Sequence, residues 1–247
     1  MELLTPEFSF WYHFTGEFIG TALLILMGGG VVANVVLNKT YGQNSGWIVI
    51  TFGWAMAVFL GVYTSLKFGG SGHLNPAVTI ALAATGKLNT LLVLPYILAQ
   101  LAGAFTGSVL AWLSYQKHFA VSDDADSKKA IFCTAPAVRS PINNFFTECI
   151  GTFVLMFGAL AFTDPASSLG TLNALPVALL VLGIGLSLGG ATGYAINPAR
   201  DLGPRIAHFL LPIPGKRDSD WGYSWVPIAG PIAGALLAAQ LFKFVSN

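Results

Sequence analysis

The stretch that decides the fold is Gly193-Tyr194-Ala195-Ile196-Asn197-Pro198-Ala199-Arg200-Asp201-Leu202-Gly203. An earlier stretch, Ser71-Gly72-His73-Leu74-Asn75-Pro76-Ala77-Val78-Thr79, repeats its Asn-Pro-Ala core. Asparagine can cap a helix with its side-chain oxygen, and proline suits the first helical position, so both copies read as helix starts. Each follows a glycine-rich run and is embedded in apolar sequence. One copy alone would read as an ordinary capped helix. Two copies at matching places in two matching halves read as parts of one site.

Composition sets the surroundings. The chain is 54% hydrophobic and only 9% charged, with a mean hydropathy of +0.68. So little charge cannot cover the surface of a soluble domain, and a polytopic membrane protein is expected. A net charge of +1 gives no reason to expect a nucleic-acid partner. Cys133 and Cys149 are unclustered, which favours packed thiols over a disulfide or a metal site. Glu2 and Glu7 occur with no basic n-region, so a cleaved signal peptide is not expected.

A spanning helix needs about 20 mostly apolar residues. Six stretches qualify, at about 11–37, 47–66, 91–115, 142–162, 172–188 and 223–244. Two shorter apolar helices are expected at about 75–85 and 197–210. At about 1.5 Å per residue the first of these crosses only half of a core about 30 Å thick. A polar linker, 116–141, holds Asp123, Asp124, Asp126, Lys128, Lys129 and Arg139. It joins a first repeat, about 8–115, to a second, about 142–245, within one transmembrane domain spanning 1–247. The halves also match locally: Gly16-Glu17-Phe18-Ile19-Gly20-Thr21 resembles Thr147-Glu148-Cys149-Ile150-Gly151-Thr152. Three spans per half put the halves in opposite orientations. The expected fold is an all-α membrane protein of six transmembrane helices plus two half-helices in an inverted repeat, with its site at the bilayer midplane. Gly20, Gly103, Gly151 and Gly234 are expected to let helices approach closely.

Non-helical backbone at membrane depth is tolerated only where it is buried or lines water. The carbonyls of Ser71, Gly72, His73 and Leu74, and those of 193–196 including Ala195 and Ile196, are therefore expected along a pore. Asn75 and Asn197 would donate into its lumen, and each helix N-terminus would add about half an elementary charge against cations and protons. Arg200 follows Asn197 by one turn and faces the same way. A charge inside a membrane segment is costly and usually functional, although a snorkelling arginine or a pair with Asp201 is the plainer reading. Glu17 and Glu148 are expected to accept hydrogen bonds from the N–H groups of the glycine-rich loops. His73 is expected to be neutral and to hold its loop, with Gln100 bracing the same region. Asp201 would hold the loop of Arg200 or pair with Arg205.

The paired Asn75-Pro76-Ala77 and Asn197-Pro198-Ala199 motifs resemble the major intrinsic protein (aquaporin) family, over roughly 17–238. The Asn-Pro-Ala-Arg-Asp form of the second copy resembles its glycerol-conducting branch, the aquaglyceroporins. The resemblance implies that Arg200 is the constriction arginine and that Trp54, Gly185 and Tyr194 complete a selectivity filter. Trp54 and Tyr194 would form an aromatic corner for a carbon backbone, Gly185 would leave room opposite, and Arg200 would take hydroxyls. The branch usually has Phe where this chain has Tyr194, so the hydroxyl is expected to make the filter more polar or narrower. The resemblance further implies a homotetramer with one pore per subunit, in the cell (plasma) membrane, with both termini cytoplasmic. The Lys and Arg count runs against that orientation, since Lys39, Lys117, Lys128, Lys129, Arg139, Arg205, Lys216 and Arg217 fall on the outer loops.

The expected function is passive passage of glycerol and related small neutral solutes, with some water, excluding ions and protons and needing no cofactor. A water-selective pore stays open, as do urea, dihydroxyacetone, hydrogen peroxide and protonated lactic acid as main solutes. An ion-coupled secondary transporter would need Glu17 or Glu148 as its coupling carboxylate. An enzyme is disfavoured, because no catalytic constellation is present.

Overall fold

The computed structural model describes residues 6–162, 169–170 and 172–246. Among these the chain forms α1 (Pro6–Val36), α2 (Trp47–Lys67), α3 (Pro76–Ala84), α4 (Val93–Val121), α5 (Ala125–Ala130), α6 (Pro141–Ala161), α7 (Leu175–Ser187), α8 (Pro198–Leu210) and α9 (Val226–Ser246). No strand occurs among the described residues. Among the described residues five stretches, built on α1, α2, α4, α6 and α9, are long and apolar enough to cross a membrane. Phe52, Leu98, Ile150, Leu179 and Leu237 stay more than half exposed on their outer faces, as lipid-facing side chains do. The chain is an all-α membrane protein.

Three stretches depart from the sequence expectation. The third span does not stop at 115 but continues to Val121, because Phe119 is fully buried and packs on Phe132 at 5.9 Å. The linker contains a helix of its own, α5, capped by Asp124, whose carboxylate accepts from the Asp126 N–H at 2.9 Å and the Ser127 hydroxyl at 2.6 Å. The fifth apolar helix begins at Leu175 rather than 172 and is 13 residues long, about 20 Å of rise. Residues 163–168 and 171, just ahead of it, lie outside the described residues.

The short helices start where the sequence asks. Asn75 and Asn197 are extended, with φ of −155° and −157°, and each side-chain oxygen accepts from the N–H two residues on, at 2.9 Å. Proline follows in both, in the helix position that needs no donor. At 9 and 13 residues, α3 and α8 rise about 14 and 20 Å and cannot cross a core about 30 Å thick.

Exchanging the two halves maps the helix contacts onto one another. As α1 packs on α4 and α2, so α6 packs on α9 and α7. Each short helix crosses over: α3 lies on α9, and α8 on α4. The close approaches depend on missing side chains. A Cβ at Gly103 would stand 2.4 Å from the Phe18 carbonyl oxygen, and one at Gly234 would stand 2.0 Å from that of Cys149. Gly151 differs from expectation. Its nearest neighbour is the Ile196 side chain, at 3.0 Å from a built Cβ, so it makes room for a loop rather than for a helix.

Candidate functional site

The loops before the short helices bend the same way. Leu74 and Ile196 have φ of 50° and 44°, a left-handed turn that aims each asparagine at the opposite loop. The Asn75 amide donates to the Ile196 carbonyl at 2.8 Å, and the Asn197 amide to the Leu74 carbonyl at 2.7 Å. Each NH2 group thus uses one hydrogen to tie the loops together and keeps one for the cavity that both asparagines line. Pro76, Ala77, Pro198 and Ala199 are buried in the first turns beneath them.

Two buried carboxylates collect the backbone donors of the bends. Glu17 accepts from the N–H groups of Ser71 (3.1 Å), His73 (3.0 Å) and Leu74 (2.8 Å), and from the Ser65 hydroxyl and the Gln100 amide. Glu148 accepts from those of Ala195 (3.0 Å) and Ile196 (2.7 Å). Unpaired, such N–H groups would cost about 1–3 kcal/mol apiece. Gln100 also donates to the Thr79 hydroxyl at 3.0 Å, which lies 3.1 Å from His73 Nδ1. His73 is held in this cluster against the Tyr96 ring, 5.2 Å away.

Two cavities run past these loops. The deep one, about 130 Å3, is lined by Asn75, Asn197, Gly72, His73, Leu74, Ala195 and Ile196 and by the apolar side chains of Val58, Val62, Leu155, Val177 and Val181. The mouth cavity, about 300 Å3, is lined by Trp47, Ile50, Cys133, residues 134–137, Gly189, Gly190 and Gly193. They share only Trp54, Tyr194 and Arg200 among their lining residues. Those three side chains mark the neck between the cavities. The Cys133 thiol at the mouth is pushed up to about 12 by burial, well out of the range of a reactive thiolate.

Arg200 is only 7% exposed. Its guanidinium carbon lies 4.1 Å from the centre of the Trp54 ring, a cation–π contact. Among the described residues its guanidinium has no hydrogen-bond acceptor, which leaves its donors to the neck. Asp201 does not pair with it. Asp201 binds the fully buried Arg205 at 2.7 and 2.8 Å and accepts from the N–H and hydroxyl of Thr134. Arg205 in turn donates to the carbonyls of Thr134, Ser219 and Asp220. Of the two roles expected for Asp201, the geometry is that of the pair with Arg205. That pair fastens two surface loops to α8 around the mouth.

Two expected site residues are placed differently. Ser71 lines neither cavity; its hydroxyl is 2.9 Å from that of Tyr96, and its N–H is held by Glu17. Gly185 also lines neither, and the room it leaves is taken. A Cβ there would stand 3.0 Å from Tyr194 Cζ and 3.0 Å from Thr51 Cγ2. Trp47 closes this seat by donating to the Gly185 carbonyl at 3.0 Å and meeting the Tyr194 ring edge-on at 5.8 Å. The Tyr194 hydroxyl oxygen is buried with no partner among the described residues. It adds no polar surface to the neck, so of the two effects expected of the hydroxyl, a more polar filter or a narrower one, the first does not hold.

The apolar lining of the deep cavity and most of the mouth lie outside the residues that the motifs point to. A signal for part of them was present: Trp47, Ile50, Trp54, Val58 and Val62 fall at i, i+3 and i+4 intervals along one face of α2. Val177 and Val181 do the same on α7. Residues 134–137 have no periodicity, and only the tertiary contacts place them.

The family model described as Major intrinsic protein matches residues 5–242. The chain belongs to the major intrinsic protein family. Within that family it is similar to the "Probable glycerol uptake facilitator protein" of Thermotoga maritima, with 56% identity over 232 residues that cover 94% of this chain and 98% of the relative. It is 42% identical over 236 residues to the "D/L-lactic acid transporter" of Lactiplantibacillus plantarum, covering 92% and 95% of the two chains. Among solved structures, the aquaglyceroporin from Plasmodium falciparum superposes with a TM-score of 0.83 at 30% identity, over 96% of this chain and 97% of that one.

Proposed function

We propose that this protein is a passive channel for glycerol and related small neutral solutes, with some water permeability. The observation that carries the reading is the neck: two aromatic rings and one arginine separate two cavities, the inner of which combines the amides of Asn75 and Asn197 with a largely apolar lining. A polyol combines the same two kinds of chemistry. Its hydroxyls would accept from Arg200, Asn75 and Asn197 and donate to loop carbonyls, while its carbon backbone passes Trp54, Tyr194 and the valines of α2 and α7. The relative named a glycerol uptake facilitator supports the choice of solute.

Exclusion of ions and protons follows from the same parts. The Arg200 charge and the positive ends of two short helices would oppose cations, and paired asparagine donors would interrupt a proton-conducting water file. Passive passage is favoured over ion coupling because Glu17 and Glu148, the midspan carboxylates, are occupied by backbone N–H groups and line neither cavity. We further propose six crossing segments, the fifth being about 172–188 with the shorter helix α7 as its helical part, and two half-helices, arranged as one channel domain of two repeats, about 8–115 and 142–245. A homotetramer in the cell membrane with cytoplasmic termini is proposed from the family resemblance.

Protonated lactic acid is the second reading, since it is also small, neutral and hydroxylated and a similar relative is named for lactic acid. The test is uptake of labelled glycerol and labelled lactic acid into proteoliposomes without any ion gradient. Glycerol should equilibrate at a rate linear in concentration and faster than lactic acid. Saturable uptake that requires a proton or sodium gradient would overturn the channel reading.

A further inference from the structure

Gly28 lies on α1 beside Trp54 of α2. A Cβ built at Gly28 falls 2.2 Å from Cζ3, 2.4 Å from Cε3 and 2.5 Å from Cη2 of the indole. The ring thus occupies the space where a side chain at 28 would stand. The requirement is local: a Cβ at Gly29 meets nothing closer than 3.5 Å, and one at Gly30 meets nothing within 4 Å. The same indole carries the Arg200 guanidinium at 4.1 Å. Two contacts therefore set its position, the bare backbone of α1 and the arginine of the neck.

We propose that Gly28 is a positioning residue for solute selectivity, a notch that lets the Trp54 ring stand back from the neck. The proposal rests on the reading of Trp54, Tyr194 and Arg200 as the selective neck. Any side chain at 28 would need the ring to move by about 1 Å or more, because carbon atoms reach ordinary contact only near 3.5–4.0 Å. An indole is rigid and turns about two bonds only. Trp54 is 4% exposed, and the open space beside it belongs to the two cavities it lines. A displaced ring enters the passage and shifts against Arg200, which narrows the route for a carbon chain more than for water.

The test measures glycerol and water permeability of proteoliposomes by stopped-flow light scattering for the wild type, Gly28→Ala, Gly30→Ala, Trp54→Phe and the Gly28→Ala/Trp54→Phe double variant. Gly28→Ala should lower glycerol permeability by roughly tenfold and water permeability by less than about threefold. Gly30→Ala, on the same helix, should match the wild type. The double variant should return to the level of Trp54→Phe alone, because phenylalanine is the smaller ring. A Gly28→Ala protein with an unchanged glycerol-to-water ratio, or a double variant as depressed as the sum of its parts, would overturn the assignment alone. A wild type that passes no glycerol would overturn the neck reading and the assignment with it. Should Gly28→Ala fail to fold, folding of the double variant would support the notch; failure of both while Gly30→Ala folds would make Gly28 a helix-packing residue and overturn the proposal.

Discussion

Asn75 and Asn197 are set alike: each follows a left-handed residue, each caps a short helix, and each donates across to the other's loop. The side chains around them are not alike. Three residues before the asparagine, both loops turn through positive φ, but the first has Gly72 at 70° and the second has Tyr194 at 35°. Where α8 carries Arg200 and Asp201, α3 carries Val78 and Thr79 at the same steps from its asparagine. The first loop is tied inward to α1, α2 and α4 through Glu17, Ser65 and Gln100. The second is tied to α6 through Glu148, and its short helix α8 is tied outward as well, through Asp201 and Arg205, to the loops around the mouth. The shared features are backbone features, which fix where two half-helices meet. The features that could discriminate one solute from another belong to the second half and to Trp54, which reaches across to it.

The comparison breaks most visibly at its carboxylates. Glu17→Ala orphans three backbone N–H groups and Glu148→Ala two, at about 1–3 kcal/mol for each group. Both should unfold at lower temperature in detergent, Glu17→Ala the more, and the reverse order would show that the first loop does not depend on Glu17. Asp201→Ala leaves Arg205 buried without its partner, which costs about 3–5 kcal/mol, whereas Thr79→Ala at the matching step of α3 should cost about 1 kcal/mol. Equal losses in a denaturation series would erase the asymmetry. Asn75→Ala and Asn197→Ala each remove a helix cap and the amide hydrogen bond to the opposite loop, and should cost about 2 kcal/mol apiece. A difference above about 1 kcal/mol between them in thermal melts would mean that the caps are not equivalent. The smallest effect is expected from Tyr194→Phe. The lost hydroxyl is buried and unpartnered among the described residues, so stability should change by less than about 0.5 kcal/mol. The glycerol-to-water ratio should stay within about twofold, and a larger shift would place the hydroxyl in the passage.

Much of this was legible because it is local. A helix cap and the proline after it are neighbours in sequence, and so are the apolar runs of the spans. The loop glutamates were legible through the internal repeat, which put Glu17 and Glu148 at the same step. The cap of α5 was also local, at Asp124, but the charges around it read as linker. What stayed hidden depends on distant segments meeting. The hydrogen bond from Thr134 to Asp201 joins residues 67 apart in the chain, and no pattern near either announces it. Gly185 was recognisable as a small residue, but what fills its space is decided by the Tyr194 ring and by Trp47. Gly28 looks like any small residue in an apolar helix until the indole of Trp54 is seen against it.

The central claim is that solute passes the neck under Arg200, and the measurement that addresses it most directly is parallel glycerol, water and proton permeability of wild-type and Arg200→Ala proteoliposomes. The account predicts glycerol flux without an ion gradient and a low proton leak in the wild type. In Arg200→Ala it predicts a proton leak raised by roughly tenfold or more, with glycerol flux retained. A proton leak identical in the two proteins, with glycerol flux also unchanged, would mean that the permeating species do not pass Arg200, and it would contradict the account.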